Sequence, residues 1–220
     1  MAQLRRTLTE REIRNAVVRR LLGTSRADEL LIEELGVGSA RVDLALANDR
    51  LLGFEIKSDF DTLDRLARQM HAYHCVFDTL TIVTTETYLS QVEALLPTWW
   101  GIWVAEPQDD ATVQVTERRA ATTHDRRDPT SLAAMLWRDE AYAFVVDTLG
   151  PVVRARATRG DLQEVIAGQI PLDQIRERVL KSLRGREDLK ARSHVAGEVI
   201  SDRQDDVVAG GITAPGHVAA

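Results

Sequence analysis

The feature that most constrains this fold is a close succession of three short apolar segments in the first third of the chain. In the second segment, Val42, Leu44 and Leu46 alternate with less apolar residues, and this period of two is typical of a β-strand. The tight turn at 48–50 predicts that the second and third segments pair as a hairpin. The segments are LLIEELGV (30–37), ARVDLALA (40–47) and LLGFEIKS (51–58).

Helical patterns and further strands surround the hairpin. Thr9 and Glu12 fit a capping box that begins a helix over 9–22. Ser58 with Asp59 or Asp61 can cap a second helix, which carries an apolar stripe as far as Phe77. The remaining elements are a β-branched strand at 79–86, a helix at 87–96 and a strand at 99–107. The order α-β-β-β-α-β-α-β predicts an α/β fold with a mixed central sheet and helices on its faces.

The second half of the chain has a helical pattern after a polar stretch. The stretch 105–130 has room for one strand, at 112–116, and helices are predicted near 131–148, 159–168 and 172–185. The end lacks any sustained period, which predicts disorder. The predicted organisation is a core at 1–110, a linker or edge segment at 111–130, a helical extension at 131–190 and a disordered tail at 191–220.

The helical extension leaves two questions open. Its short, arginine-rich helices allow a helix-turn-helix that grips the DNA backbone, but acids such as Asp173 and Glu177 are mixed in, and the favoured interpretation is a helical cap on the sheet with solvated charges. The apolar face of 132–146 predicts docking either on the core or on a second copy of the chain in a homodimer.

Composition excludes several classes of protein. The chain is 44% hydrophobic and 28% charged, which is typical of a soluble globular protein, and the lone Cys75 favours the reducing cytoplasm. No signal-like segment is present, and no apolar run approaches the roughly 18 residues that span a bilayer, so we expect no membrane insertion. No Gly-rich phosphate loop is present, so we expect no nucleotide cofactor. A net charge of −6 argues against a basic nucleic-acid coat but allows a carboxylate-rich site.

Three residues of the hairpin can carry chemistry. Glu55 and Lys57 lie two apart on the third strand and project from one face, and hairpin pairing can bring Asp43 beside Glu55. Two neighbouring carboxylates repel each other, and their oxygens suit Mg²⁺ or Mn²⁺. Lys57 can then orient water and stabilise developing phosphate charge, which predicts a phosphodiester-hydrolysing site. The alternative is a solvated strand face, where an acid and a lysine two apart are common.

The stretches RVDLAL and FEIKSD, preceded by a helix, resemble the PD-(D/E)XK nuclease superfamily. The resemblance covers about 9–104, which looks like an uncharacterised bacterial and phage family of that superfamily, although Val42 stands where proline is usual. It implies a restriction-endonuclease-like α-β-β-β-α-β core and metal-dependent cleavage of nucleic acid. It further implies that Asp43 and Glu55 bind the metal and that Lys57 is catalytic.

A third metal-binding acid is expected from the first helix. Glu10 stands three residues before Ile13, which is similar to archaeal Holliday-junction resolvases. Glu10 can equally be an ordinary first-turn acid favoured by the helix dipole. The rivals are Glu12, which fits the capping box, and Glu33 and Glu34, which are on the strand beside Asp43.

Gln69 and Tyr73 lie four apart and share one helix face. They resemble the Q-x-x-x-Y motif of RecB-type nucleases, which implies that they help to place the nucleic acid. The alternative is a core tyrosine with a solvated glutamine. Arg65, one turn earlier, can contact a phosphate or pair with Asp61.

The sequence therefore predicts a Mg²⁺- or Mn²⁺-dependent nuclease acting on DNA. A second hypothesis is a nuclease-fold protein that binds DNA without cleaving it, within a repair, recombination or phage-related assembly. A third is a non-enzymatic interaction domain, which the complete set of Asp43, Glu55 and Lys57 disfavours.

Overall fold

The structure is a computed structural model that describes residues 6–23 and 29–192, with side chains to residue 189. The strands are β1 (Leu30–Val37), β2 (Ala40–Ala47), β3 (Leu51–Lys57), β4 (Thr79–Thr84), β5 (Gly101–Pro107) and β6 (Val113–Arg119). The helices are α1 (Glu10–Leu22), α2 (Leu66–His74), α3 (Glu86–Leu95), α4 (Pro129–Ala133), α5 (Arg138–Leu149), α6 (Arg159–Gln169), α7 (Leu172–Gly185) and α8 (Glu187–Arg192).

The six strands form one sheet in the order β1-β2-β3-β4-β5-β6. The β1–β2, β2–β3 and β5–β6 pairs are antiparallel, whereas β4 lies parallel to both β3 and β5. The predicted α/β fold, with its mixed sheet and C-terminal helical part, is therefore confirmed. Strand β6 falls inside 111–130 and extends the sheet at its edge.

Helix α1 covers one face of the sheet. It begins with the predicted capping box, in which the Thr9 side chain accepts from the Glu12 amide and the Glu12 carboxylate accepts from the Thr9 amide. Its apolar residues, such as Ile13 and Val17, pack with Phe54 and with other residues of β3 to β6. This helix places Glu10 in its first turn, at one end of the sheet.

Helix α2 and the C-terminal helices share the core on the opposite face. Leu66 and Tyr73 of α2 are buried there, together with Leu132 and Phe144 of the helical extension. The apolar face of 132–146 thus packs within the chain's own core. The homodimer remains a prediction.

The predicted helix at 131–148 is two helices, α4 and α5, because residues 134–137 interrupt the helical backbone. Helix α2 begins at Leu66 rather than directly after Asp61, and it has no side-chain cap. Ser58 and Asp61 instead close a turn of their own.

Residues 193–220 lie outside the described part of the chain, and so does the predicted disorder of this segment. Within residues 6–23 and 29–192, no helix combines the length and the apolar character needed to cross a membrane.

Candidate active site

The end of the β2–β3 ladder positions Asp43. Backbone pairing runs from Ala47↔Leu51 to Leu44↔Phe54. One step further on, the Oδ2 atom of Asp43 accepts a hydrogen bond of 2.6 Å from the Ile56 amide. The carboxylate therefore occupies the place of the next ladder bond, which fixes it against strand β3.

Glu55 and Lys57 form a buried ion pair on β3. The Nζ atom of Lys57 lies 2.9 Å from Oε1 of Glu55, and the two residues are only 8% and 1% exposed. Each charge compensates the other in a region from which water is nearly excluded, so removing one would leave the other uncompensated. The structure thus brings Asp43, Glu55 and Lys57 together, as the sequence predicts.

Tyr73 holds the other oxygen of Glu55. The Tyr73 hydroxyl lies 2.9 Å from Oε2 of Glu55 and 2.6 Å from the Arg41 carbonyl oxygen, and its single proton can serve one of these acceptors at a time. Burial raises the pKa of Tyr73, and the charge of Glu55 raises it further. The hydroxyl therefore stays protonated at neutral pH and is available as a donor.

Gln69 lies beside Tyr73, as predicted, and its Nε2 atom donates to the Tyr73 hydroxyl at 3.3 Å. Its Oε1 atom is buried and has no hydrogen-bond partner among the described residues. Arg65 is exposed just before α2, and within the described part of the chain it makes no ion pair with the site carboxylates.

Three carboxylates converge next to this ion pair. Oxygens of Glu10, Glu34 and Asp43 all lie within 4.8 Å of one another, and we call these residues the acid cluster. Glu55 is not in this group, but its charge acts on Asp43. Burial raises the pKa of Asp43 to about 7, and the neighbouring charge of Glu55 contributes to the rise.

Glu34, whose carboxylate lies in the acid cluster, has an unusual backbone conformation. Its φ of 54° lies in the left-handed region, which is uncommon for a residue with a side chain. The pairs Glu33↔Leu44 and Leu35↔Val42 flank it, so Glu34 stands opposite Asp43 in the register of β1 and β2. Local strain of this kind often occurs at functional sites.

Glu12 and Glu33, two of the alternatives to Glu10 as the third metal-binding acid, have different contacts. Glu12 belongs to the capping box and also pairs with Arg6, and its pKa is lowered, chiefly by the hydrogen bond from the Thr9 backbone. Glu33 lies 3.5 Å from the Arg14 guanidinium. Of the four glutamates considered, Glu10 and Glu34 are the ones that share a cluster with Asp43.

Arg14 is the residue that the sequence analysis missed. Its Nε atom donates to Glu10 at 2.9 Å, its Nη2 atom lies 2.7 Å from Glu34 and 3.3 Å from Asp43, and its Nη1 atom donates to the Asp43 carbonyl oxygen. Burial alone would lower the pKa of Arg14, but hydrogen bonds to Glu10 and Glu34 raise it overall. Its guanidinium is therefore a permanent cation inside the acid cluster.

Comparison with known proteins identifies the family. A model of the family described as Bacteriophage P4 protein cII matches residues 3–204. The chain belongs to this phage protein family.

Protein cII of Enterobacteria phage P4 is 30% identical to the chain over 189 residues, which cover 84% of this chain and 69% of the phage protein. Among solved structures, a protein of unknown function from Silicibacter pomeroyi has a TM-score of 0.42 and 16% identity, over 69% of this chain and 98% of that protein. The cII family match includes the core and the helical extension together, so both segments belong to one family unit.

Proposed function

We propose that this chain is a Mg²⁺- or Mn²⁺-dependent nuclease of the PD-(D/E)XK type that hydrolyses phosphodiester bonds in DNA. The observation that carries the proposal is the convergence of Asp43, Glu55 and Lys57 where the β2–β3 ladder ends, with Glu10 reaching Asp43 from α1. Two acids and an amine in this arrangement suit phosphodiester hydrolysis.

The acid cluster fits a hard divalent cation. Its three carboxylates supply only oxygen donors, which Mg²⁺ and Mn²⁺ prefer. Burial and the charge of Glu55 raise the pKa of Asp43, and a bound divalent cation would favour its charged form. Asp43 and Glu10 would hold the ion, with Glu34 as a further ligand and Glu55 next to it. The bound ion would supply Lewis-acid polarisation of the phosphodiester.

Lys57 is the candidate for stabilising charge on the substrate. Its ammonium group is held 2.9 Å from Glu55, and Tyr73 holds the opposite oxygen of the same carboxylate. The ammonium group therefore has a fixed position, and preorganised charges of this kind need little reorganisation when negative charge develops on a phosphate.

A second candidate function is DNA binding without cleavage. The observation that favours it is Arg14, whose guanidinium already supplies positive charge to Glu10, Glu34 and Asp43. A site neutralised in this way could fold and bind DNA without a metal. Metal-dependent cleavage of DNA would distinguish the nuclease from a protein that only binds DNA.

The test is a cleavage assay on linear, circular, single-stranded and branched DNA, with Mg²⁺, Mn²⁺ or excess EDTA. We expect cleavage that requires the metal, that Asp43→Ala and Lys57→Ala each abolish, and that the exposed control Lys181→Ala leaves unchanged. Circular dichroism verifies that each variant is folded. Cleavage that survives both site substitutions, or that persists in EDTA, would refute the proposed function.

A further inference from the structure

Phe60 is the most exposed of the large apolar side chains in the described part of the chain, at 69%. It lies in a short turn directly after β3, three positions beyond Lys57. Phe60 is therefore an aromatic ring exposed to water and close in sequence to Lys57, and aromatic side chains are the groups on which bases of single-stranded DNA stack.

Hydrogen bonds close the turn that carries Phe60. The Asp61 amide donates to the Ser58 carbonyl oxygen at 3.3 Å. In return, Oδ2 of Asp61 accepts from the Ser58 amide at 2.8 Å and from the Ser58 hydroxyl at 2.6 Å. The Phe60 amide donates to the Ser58 hydroxyl oxygen at 3.3 Å. The backbone that presents the ring is therefore fixed.

Asp59 anchors this turn to two neighbouring elements. Its Oδ1 atom accepts from the hydroxyls of Thr85 and Thr87, both at 2.6 Å, where α3 begins. Its Oδ2 atom accepts from the Leu8 amide at 2.7 Å, two residues before Glu10. The turn thus joins the end of β3 to the segment that precedes α1 and to the start of α3, and it leaves the Phe60 ring exposed.

We propose that Phe60 stacks on an unpaired base of the DNA strand whose phosphodiester lies at Lys57. A flexible loop would lose conformational entropy on binding DNA. The hydrogen-bonded turn already fixes the backbone that presents the exposed ring, so this entropic cost is smaller. The carboxylates of Asp59 and Asp61, which flank the ring, point toward protein donors. The inference rests on the DNA-binding part of the proposed function.

The geometry limits which base Phe60 can reach. Three residues of backbone span at most about 10 Å, so the Cα atoms of Lys57 and Phe60 are close together. The stacked base therefore lies within a few nucleotides of the phosphate at Lys57. A base inside a duplex has both faces occupied, so the preferred substrate is single-stranded DNA or DNA with a frayed or branched end.

The test measures binding of the full chain to a single-stranded oligonucleotide carrying 2-aminopurine, in EDTA so that no cleavage occurs. Phe60→Ala should bind roughly 5- to 150-fold more weakly and lose the fluorescence quenching that stacking causes. Phe60→Trp should retain both. The matched control is Leu95→Ala, an exposed apolar side chain on α3, which should bind as the wild type does.

Equal affinity and equal quenching for Phe60→Ala and wild type would overturn the inference. A lower molecular mass of Phe60→Ala in light scattering would also overturn it, because the ring would then be a contact between two copies. Cleavage in Mg²⁺ is measured separately. Weakened binding by Phe60→Ala without any cleavage by the wild type would refute only the nuclease proposal, whereas metal-dependent cleavage with unchanged Phe60→Ala binding would refute only the stacking.

Discussion

Arg14 controls the electrostatics of the acid cluster. Its side chain is only 13% exposed and forms ion pairs with Glu10, Glu34 and Asp43. Without a cation among them, these carboxylates would repel one another at close range. Arg14 therefore stabilises the metal-free protein, and a divalent cation would compete with it for the same oxygens.

Replacing Arg14 should make the fold depend on the metal. In EDTA, Arg14→Gln should lower the free energy of unfolding by on the order of 3 kcal/mol, because it leaves partly buried carboxylates uncompensated. Added Mg²⁺ should then raise the melting temperature of Arg14→Gln more than that of the wild type.

The matched control for Arg14 is Arg11→Gln, on the exposed side of the same helix, which should change stability by less than about 0.5 kcal/mol. Differential scanning calorimetry with and without Mg²⁺ measures both variants. An Arg14→Gln protein that is as stable as the wild type in EDTA would show that the cluster does not need this cation.

The titration of Asp43 predicts a pH dependence of stability. Burial and Glu55 raise its pKa to about 7 in the folded chain, whereas the ordinary value is 3.8. Between these values the folded state binds more protons than the unfolded state. The protonated Asp43 carboxyl group therefore stabilises the fold at low pH, and this contribution is lost as the pH rises through 7.

Urea unfolding in EDTA across pH 4 to 8 measures this effect, with Asp43→Asn as the reference that cannot titrate. The stability of the wild type, relative to Asp43→Asn, should fall as the pH rises toward 7. Mg²⁺ should reverse this fall above pH 7, where the carboxylate is charged. Parallel curves for the two proteins in EDTA would mean that the pKa of Asp43 is not raised.

At the scale of elements, most of the sheet could be predicted because its local patterns are strong. The alternation around Val42 to Leu46, and the turn after Ala47, define β2 and the hairpin without any tertiary information. The same pattern places Glu55 and Lys57 on one face. The relative positions of Asp43, Glu55 and Lys57 could therefore be predicted from the sequence.

What could not be predicted depends on contacts between distant elements. Nothing local distinguishes Glu34 from Glu33, because the left-handed backbone at Glu34 arises where β1 meets β2. The position of Arg14, four residues after Glu10, does indicate an ion pair on one helix face, but acid–base pairs at this spacing occur on most helix surfaces. The later start of α2 has a local cause instead, since Asp61 accepts hydrogen bonds from Ser58, three residues earlier, and does not cap the helix.

At the scale of the whole molecule, Asp78 joins the helical extension to the core. Its carboxylate is 2% exposed, accepts from the Leu51 amide at 2.7 Å, and pairs with Arg127 and with Arg176 of α7. These arginines have partners inside the chain, which favours the cap interpretation of α7 over a DNA-gripping helix.

Asp78→Asn should weaken the docking of the helical extension. It removes the charge that compensates two partly buried guanidinium groups, so we expect a loss on the order of 3 kcal/mol in urea unfolding. Asp147→Asn is the control, because the Asp147 side chain is 66% exposed and its pair with Arg178 should contribute less than about 1 kcal/mol. Equal losses for the two variants would contradict a central role for Asp78.

The central claim, that the Asp43, Glu55 and Lys57 site cleaves DNA, has one especially direct test. Glu55→Gln combined with Lys57→Met removes both charges of the buried pair together, so it leaves no uncompensated charge and should fold as the wild type does. The measurement is the rate of supercoiled plasmid nicking in Mg²⁺ at equal folded concentration. We expect nicking by the wild type and none by the double variant; equal rates for the two would contradict DNA cleavage at this site.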